Sequence, residues 1–371
     1  LFAEQFGAWH GLLVEGPKVA WRQDVTGHAT GGTTERLPAL PAPNIHPMQL
    51  RTVLLIAIAL LAHSISQAQG CSDAGACTAG PVGQLQLWQD SVPDQTVYRH
   101  NARLGFSYAN GEQGTVITQM NPEINIGFAK DWSLQIKTSY MYAQGDLGEN
   151  SGIGDLFVTT SHAFINETDR SFSGALGFRL PTGSTTASVP SATIEMDERP
   201  LPMPYQTGLG TTDLILGINY RYKRYVAAIA YQHVLAQNNE NQFTRSAWFN
   251  DPAVGGYFES RGLRRSGDLV LRAQYAYGCG RLSLQPGLLA IYHVANDTRL
   301  NDAVRGPNEP ERITLTGSQG LTLNVTMDLR FKLADRWALE GSFGAPVIAR
   351  EVRPDGLTRE NVTSLGLHYR F

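Results

Sequence analysis

Three aspartates recur in one local setting. Gly-Asp-Leu occupies 154–156, Thr-Thr-Asp-Leu 211–214 and Gly-Asp-Leu 267–269, and each opens a stretch in which apolar and polar residues alternate. Alternate side chains of a strand share a face. Asp155, Asp213 and Asp268 therefore fall on polar faces, and Arg179 falls on one near the end of the intervening stretch. Asp155, Arg179 and Asp213 are expected to meet near one rim. Opposite charges on neighbouring strands pair readily. Such a cluster serves either as a charged constriction that orients a solute or as a brace for the wall, and the sequence leaves both open. Gln232, Arg272, Asp328 and Arg330 are further candidate lining residues, accompanied by Arg103, Glu123, Lys137, Arg221, Gln274, Glu340, His368 and Arg370. Both signs of charge are present, which argues against strong ion selectivity.

Enzymatic chemistry finds no motif. "GLGTTD" (208–213) lacks the last glycine of the dinucleotide fingerprint and opens a strand, not a helix. Neither G-x-S-x-G nor H-E-x-x-H occurs. His233, His293 and His368 each fall on a strand, and a hydrolase would need a serine beside one of them. No catalytic residue, metal or cofactor is expected. Cys71 and Cys77, in "CSDAGAC", are candidates for a small disulfide loop, and Cys279 reads as a free thiol in a turn. A zinc site would need more ligands nearby. A lipid anchor on Cys71 is disfavoured, because "AQGC" lacks the leucine usual three residues earlier.

The elements that must position these residues are strands. In "LTLNVTMDLRFK" (321–332), Leu321, Leu323, Val325, Met327, Leu329 and Phe331 make one face, and Thr322, Asn324, Thr326, Asp328, Arg330 and Lys332 the other. Such a run exceeds the ~5–6 residues of an ordinary globular strand and suits a tilted membrane strand of ~9–11 residues with an overhang. About twelve such segments follow one another from Asn101 to Phe371, without helical periodicity between them. Short links at 129–132, 166–171, 223–225, 277–281 and 334–337 alternate with long ones near 144–153, 181–211, 236–266, 295–312 and 348–361. Outer-membrane barrels sort their connections this way, and a soluble sandwich has no reason to. Trp132, Tyr225 and Trp337 stand beside the short turns, where an aromatic belt belongs. The expected fold is all-β, a single antiparallel up-and-down transmembrane barrel of about 12 strands.

Mean hydropathy of -0.20 excludes a helical bundle in lipid and is compatible with a barrel, half of whose strand residues are polar. The net charge of -3 argues against a nucleic-acid partner. Val53–Ala62 is too short to span a bilayer. With Arg51 before it and Ser66-Gln67-Ala68 after it, residues 48–68 read as a signal peptide. Residues 1–47 read as an upstream leader outside the mature protein, 69–97 as an N-terminal periplasmic segment or plug, and 98–371 as the barrel.

Three stretches go beyond pattern: "SGIGDLFV" (151–158), "GALGFRLPTGS" (174–184) and "PYQTGLGTTDLILGINY" (204–220). They resemble the outer-membrane family labelled putative MetA-pathway of phenol degradation, a relative of the long-chain fatty-acid transporter barrels. "GCSDAGAC" (70–77), "YQHVLAQNNENQF" (231–243) and "RRSGDLVLRAQY" (264–275) resemble its Bacteroidetes-type version. The resemblance covers most of 70–371 and brings no catalytic motif. It implies passive uptake of small hydrophobic or aromatic compounds through the outer membrane of a Gram-negative bacterium. Expected partners are outer-membrane lipid, small apolar solutes and the barrel-assembly machinery, the last through terminal Phe371. The five-proline loop 181–210 is expected to fold inward as a constriction or to remain mobile. A structural or adhesive barrel with a closed lumen and a barrel hydrolase are the competing functions.

Overall fold

The computed structural model describes residues 100–191, 198–301, 311–357 and 359–371. The leader, the signal peptide, segment 69–97 and the Cys71–Cys77 pair lie outside the described residues, as does the side chain of Cys279, which ends a strand.

Twelve strands run up and down. They are β1 (His100–Gly111), β2 (Val116–Ala129), β3 (Trp132–Lys137 and Tyr140–Gly145), β4 (Gly148–Ile153 and Leu156–Asn166), β5 (Arg170–Leu180) and β6 (Thr211–Tyr222). The remainder are β7 (Tyr225–Gln237), β8 (Asp268–Tyr275 and Tyr277–Cys279), β9 (Leu282–His293), β10 (Gly320–Lys332), β11 (Trp337–Ile348) and β12 (Arg359–Arg370). Each pairs antiparallel with its sequence neighbours. β1 pairs with both β2 and β12, with Leu104 opposite Pro122 on one side and Leu367 on the other, and this closes the sheet into a barrel.

The outer face is apolar. Phe106, Phe128, Leu176, Ile218, Ile229, Leu271, Leu288, Val325 and Leu365 are all exposed at alternate positions. The terminal alternation of Leu365, Leu367 and Phe371 belongs to this face. At the end carrying the short turns, aromatic rings form a girdle. The rings of Trp132 and His162 lie 4.5 Å apart, those of Tyr275 and Tyr277 4.6 Å, and those of Trp337 and Tyr369 4.5 Å, each pair tilted. A closed barrel with an even strand number, an apolar belt and an aromatic girdle is the construction of a bacterial outer-membrane protein, and the chain is one.

One connection differs from expectation. Residues 144–153 are not a long loop: β3 and β4 continue to Gly145 and Gly148 and meet in a tight hairpin. Gly-Asp-Leu 154–156 therefore lies inside β4 instead of opening it. The cause lies two strands away. Pro122 of β2 has no N–H to give to β3. The β2–β3 ladder stops at Glu123–Lys137 and resumes at Met120–Tyr140, leaving Thr138 and Ser139 as a break. β4 breaks opposite, at Gly154 and Asp155, where the Gly154 amide donates to the Ser139 carbonyl at 2.8 Å.

A charge on the outer face has no water to reach. Ile218→Arg is expected to destabilise the barrel by about 2–4 kcal/mol, and Asn219→Arg, one residue along on the lumen side, by much less. Urea titration in lipid vesicles, read by the heat-modifiable gel shift, distinguishes the two.

Candidate functional site

The long loops interlock across one mouth of the barrel. The described parts of loop 181–210, residues 181–191 and 198–210, turn inward, and Leu201, Met203, Tyr205 and Leu209 are buried. Loop 238–267 crosses it: Asn241 Nδ2 donates to Thr185 O at 3.1 Å and Leu201 O at 3.0 Å, and Trp248 Nε1 donates to Pro200 O at 2.8 Å. Tyr205, Phe243, Trp248, Val254 and Tyr257 pack with Ile117, Met141 and Ala143 of β2 and β3 into one apolar cluster. Loop residues 349–357 close on the same structure through Arg353, whose Nε lies 3.1 Å from Glu112 Oε1, and through Gly356, where a Cβ would sit 2.4 Å from Pro204 N.

The predicted rim cluster forms and holds this cap down. Arg179 pairs with Asp213, its register partner, and lies 3.8 Å from Asp155. It also donates to the Thr211 hydroxyl. Asp155 accepts from the Gly183 amide through Oδ1 and from the Leu209 amide through Oδ2, each at 3.2 Å. One carboxylate thus clasps the two ends of loop 181–210. The strand break produced by Pro122 puts it there. Gln232 is buried and donates to Asp213.

Asp268 joins a second network. It meets Arg265 at 3.0 Å and His293 at 2.6 Å. Arg265 also meets Asp355 at 3.0 Å, as does Arg350. Burial pushes the Asp355 carboxyl up, but Arg350 and Arg265 outweigh it and hold it well below the carboxylate range. Burial pulls the Arg265 guanidinium down, and Asp268, Asp355 and Asp297 more than restore it. None of Arg265, Asp297, Arg350 or Asp355 stood out in the sequence, because all lie in connections without periodicity. Arg265, three residues before Asp268, carried the one available signal.

Arg272, Asp328 and Arg330 lie lower in the lumen. Arg272 pairs with Asp328, which also accepts from Gln274 at 2.5 Å. Arg330 is 3.6 Å from Glu340, and Glu340 is 2.8 Å from Arg103. Among the named histidines, His233 is exposed on the outer face, His368 contacts Arg330 at 3.0 Å, and both ring nitrogens of His293 face carboxylates.

The lumen is not polar throughout. Phe157, Ile215, Ala228, Ala230, Val270 and Leu289, all on inward positions of β4 and β6–β9, form one buried apolar patch, with Ile291 and the loop residue Leu357 packed against it. A cavity of about 50 Å³ lies between cap and wall. Asp155, Arg179 and Lys137 line it beside Phe157, Met203 and Leu209. The patch was legible in "VAAIAY" (226–231), a strand stretch apolar on both faces.

No family model matches the chain, so the resemblance to the phenol-degradation family gains no support there, and no curated protein matches it. Among solved structures, an outer membrane channel from Pseudomonas putida F1 is similar at 14% identity, covering 74% of this chain and 96% of that one, with a TM-score of 0.49. The NanC porin is similar at 9% identity over 73% of this chain and 100% of that one, TM-score 0.40, and the KdgM porin at 9% over 73% and 99%, TM-score 0.37.

Two outcomes follow for the cap. Arg179→Met leaves Asp155 and Asp213 buried without their cation and is expected to cost about 3–5 kcal/mol, read as a lowered urea midpoint. Asp355→Asn carries a pH signature. A carboxyl held low in the folded state contributes stability that is present above its unfolded pKa and is lost as pH falls. The stability difference between the natural chain and Asp355→Asn should therefore be constant above about pH 4 and shrink by roughly 1.4 kcal/mol per unit below it.

Proposed function

We propose that the protein is an outer-membrane channel for passive uptake of small hydrophobic or aromatic compounds. The observation that carries this reading is the apolar patch of Phe157, Ile215, Ala228, Ala230, Val270 and Leu289 inside the barrel. A water-filled porin lines its lumen with polar groups. Here one wall offers an apolar solute a surface to move along, while the opposite wall, with Arg103, Glu340, Arg330 and Asp328, stays polar and internally paired. Charge pairing leaves no large field to select ions. The solute enters past the cap, follows the apolar wall, and leaves down its gradient. Weak binding at each step lets it go.

The interlocked cap also favours a second reading, a closed barrel whose loops face outside partners. The hydrolase reading loses one of its three candidate bases, because neither nitrogen of His293 is left for a serine.

The test is uptake of a small aromatic hydrocarbon by cells or vesicles carrying the protein. Uptake above the protein-free rate is expected, and Val270→Asn with Ala230→Asn should lower it about tenfold, the equivalent of ~1.4 kcal/mol. Uptake equal to the protein-free rate would leave the closed-barrel reading.

A further inference from the structure

The short turns at the periplasmic end differ in charge. Turn 130–131 sets Lys130 beside Asp131, and turn 334–336 sets Asp335 beside Arg336. Asp335 also lies 3.4 Å from Lys332. At turn 167–169, Glu167 meets Arg170 at 2.7 Å, and Asp169 is a charge partner of Arg221. The Arg221 guanidinium donates to the carbonyls of Thr168 and Glu167 at 3.0 and 2.9 Å. Turns 223–224 and 280–281 are different: they hold Lys223, Arg224 and Arg281 and no acid. All three side chains are exposed, and none of them reaches a carboxylate among the described residues. The Arg224 carbonyl accepts from the Ala276 amide at 2.8 Å, which ties turn 223–224 to β8. Turn 280–281 follows about 10 Å further round the wall, two strand spacings. Three cations without acids thus share one sector of the rim, at the feet of β6–β9.

The outer wall above them is shaped. Tyr220 and Tyr222 of β6, Tyr225 of β7 and Tyr277 of β8 are exposed there, with Tyr275 half-buried among them. Tyr225 and Tyr275 meet edge to face at 5.0 Å, Tyr275 and Tyr277 lie 4.6 Å apart, and Lys223 Nζ lies 5.2 Å from the centre of the Tyr222 ring. Next above this ledge of tyrosines, the register pair Ala227–Ala273 is exposed on the same face. Tyr220 flanks it on β6 and Leu288 on β9, and Ile229 and Leu271 stand above it. Two methyl groups among large side chains leave a shallow notch in an otherwise bulky apolar surface.

Each part fits one piece of a phospholipid. Lys and Arg hold a phosphate, Arg through paired N–H donors. Tyrosine sits where headgroup meets hydrocarbon, its ring in one and its hydroxyl in the other. The notch takes the first carbons of an acyl chain. Short turns lie on the periplasmic side of an outer-membrane barrel, so the lipid belongs to that leaflet. A sector with three cations and no acid favours an anionic headgroup over a zwitterionic one, whose ammonium it would repel.

We propose that the outer surface of β6–β9 binds an anionic phospholipid of the periplasmic leaflet, its phosphate on Lys223, Arg224 and Arg281 and one acyl chain in the Ala227–Ala273 notch. The site lies outside the lumen and does not rest on the channel reading.

The experiment is native mass spectrometry of the full chain in detergent, with dioleoylphosphatidylglycerol and dioleoylphosphatidylethanolamine offered at equal concentration. Preferential retention of the phosphatidylglycerol is expected. Lys223→Gln with Arg224→Gln should lower that retention about tenfold. Lys130→Gln with Arg336→Gln removes the same charge elsewhere on the rim and should leave it unchanged. Ala273→Phe fills the notch without touching a charge and should lower it as well. Glycerol phosphate, a headgroup without chains, should not displace the lipid at the same concentration. Equal retention of the two lipids, equal loss in the two double variants, full retention in Ala273→Phe, or displacement by glycerol phosphate would each overturn the site. The heat-modifiable gel shift reports folding. If Lys223→Gln with Arg224→Gln fails to fold, Arg281→Gln takes its place, with an expected loss of about fivefold.

Discussion

A backbone amide inside a bilayer has no water to turn to, so every strand needs a partner on both edges. The seam between β1 and β12 meets the last of that demand. Asn101–Arg370 through Asn110–Asn361 pair in unbroken register, and the sheet has no edge left. Closure fixes which face of each strand meets lipid. The period-two alternation then places every charged residue of the strands on the lumen side or at the rims. The buried ion pairs are consequences of that closure. A lumen lined by Arg103, Lys137, Arg179, Arg272 and Arg330 must also hold acids on neighbouring strands, and Glu340, Asp155, Asp213 and Asp328 supply them.

One backbone defect shapes the site. Pro122 interrupts the ladder between β2 and β3, and the interruption reappears in β4 as the Gly154–Asp155 break. An aspartate in a regular strand would present its carboxylate to a neighbouring strand. Asp155 instead reaches the amides of Gly183 and Leu209 and clamps the loop that fills the mouth. Gly183 and Gly208 permit this: a Cβ on Gly183 would come within 2.7 Å of the Gly208 backbone, and one on Gly208 within 2.6 Å of Asp155 Oδ1. The two Tyr hydroxyls of Tyr205 and Tyr257, 3.2 Å apart, then join loop to loop, and Tyr257 reaches Thr115 at 2.9 Å.

The barrel was legible because its signal is local and repeated. Each strand states its own inside and outside, and the short turns of one end are fixed by their length. The Asp155–Arg179–Asp213 cluster was legible for the same reason, since strand parity and neighbouring strands suffice to bring the three together. The length of β3 and β4 was not, because Gly145, Gly148 and Gly152 suggest a loop where they serve a hairpin and close approach to the cap. Nor was the second network: Arg265, Asp297 and Asp355 are placed by loops whose course depends on contacts with other loops. The apolar lumen patch lay in plain view in Ala228, Ala230 and Val270. They are small and apolar, a type that strand parity alone does not mark as lumen-lining.

The central claim is that the loops cap a lumen that can otherwise pass solute. Conductance in planar bilayers of the full chain, against a chain in which 184–206 is replaced by a short Gly-Ser linker, tests it directly. The account predicts small or brief openings in the full chain near neutral pH and a large, steady conductance once the inward loop is gone. Equal conductance in the two chains, high or absent, would contradict it.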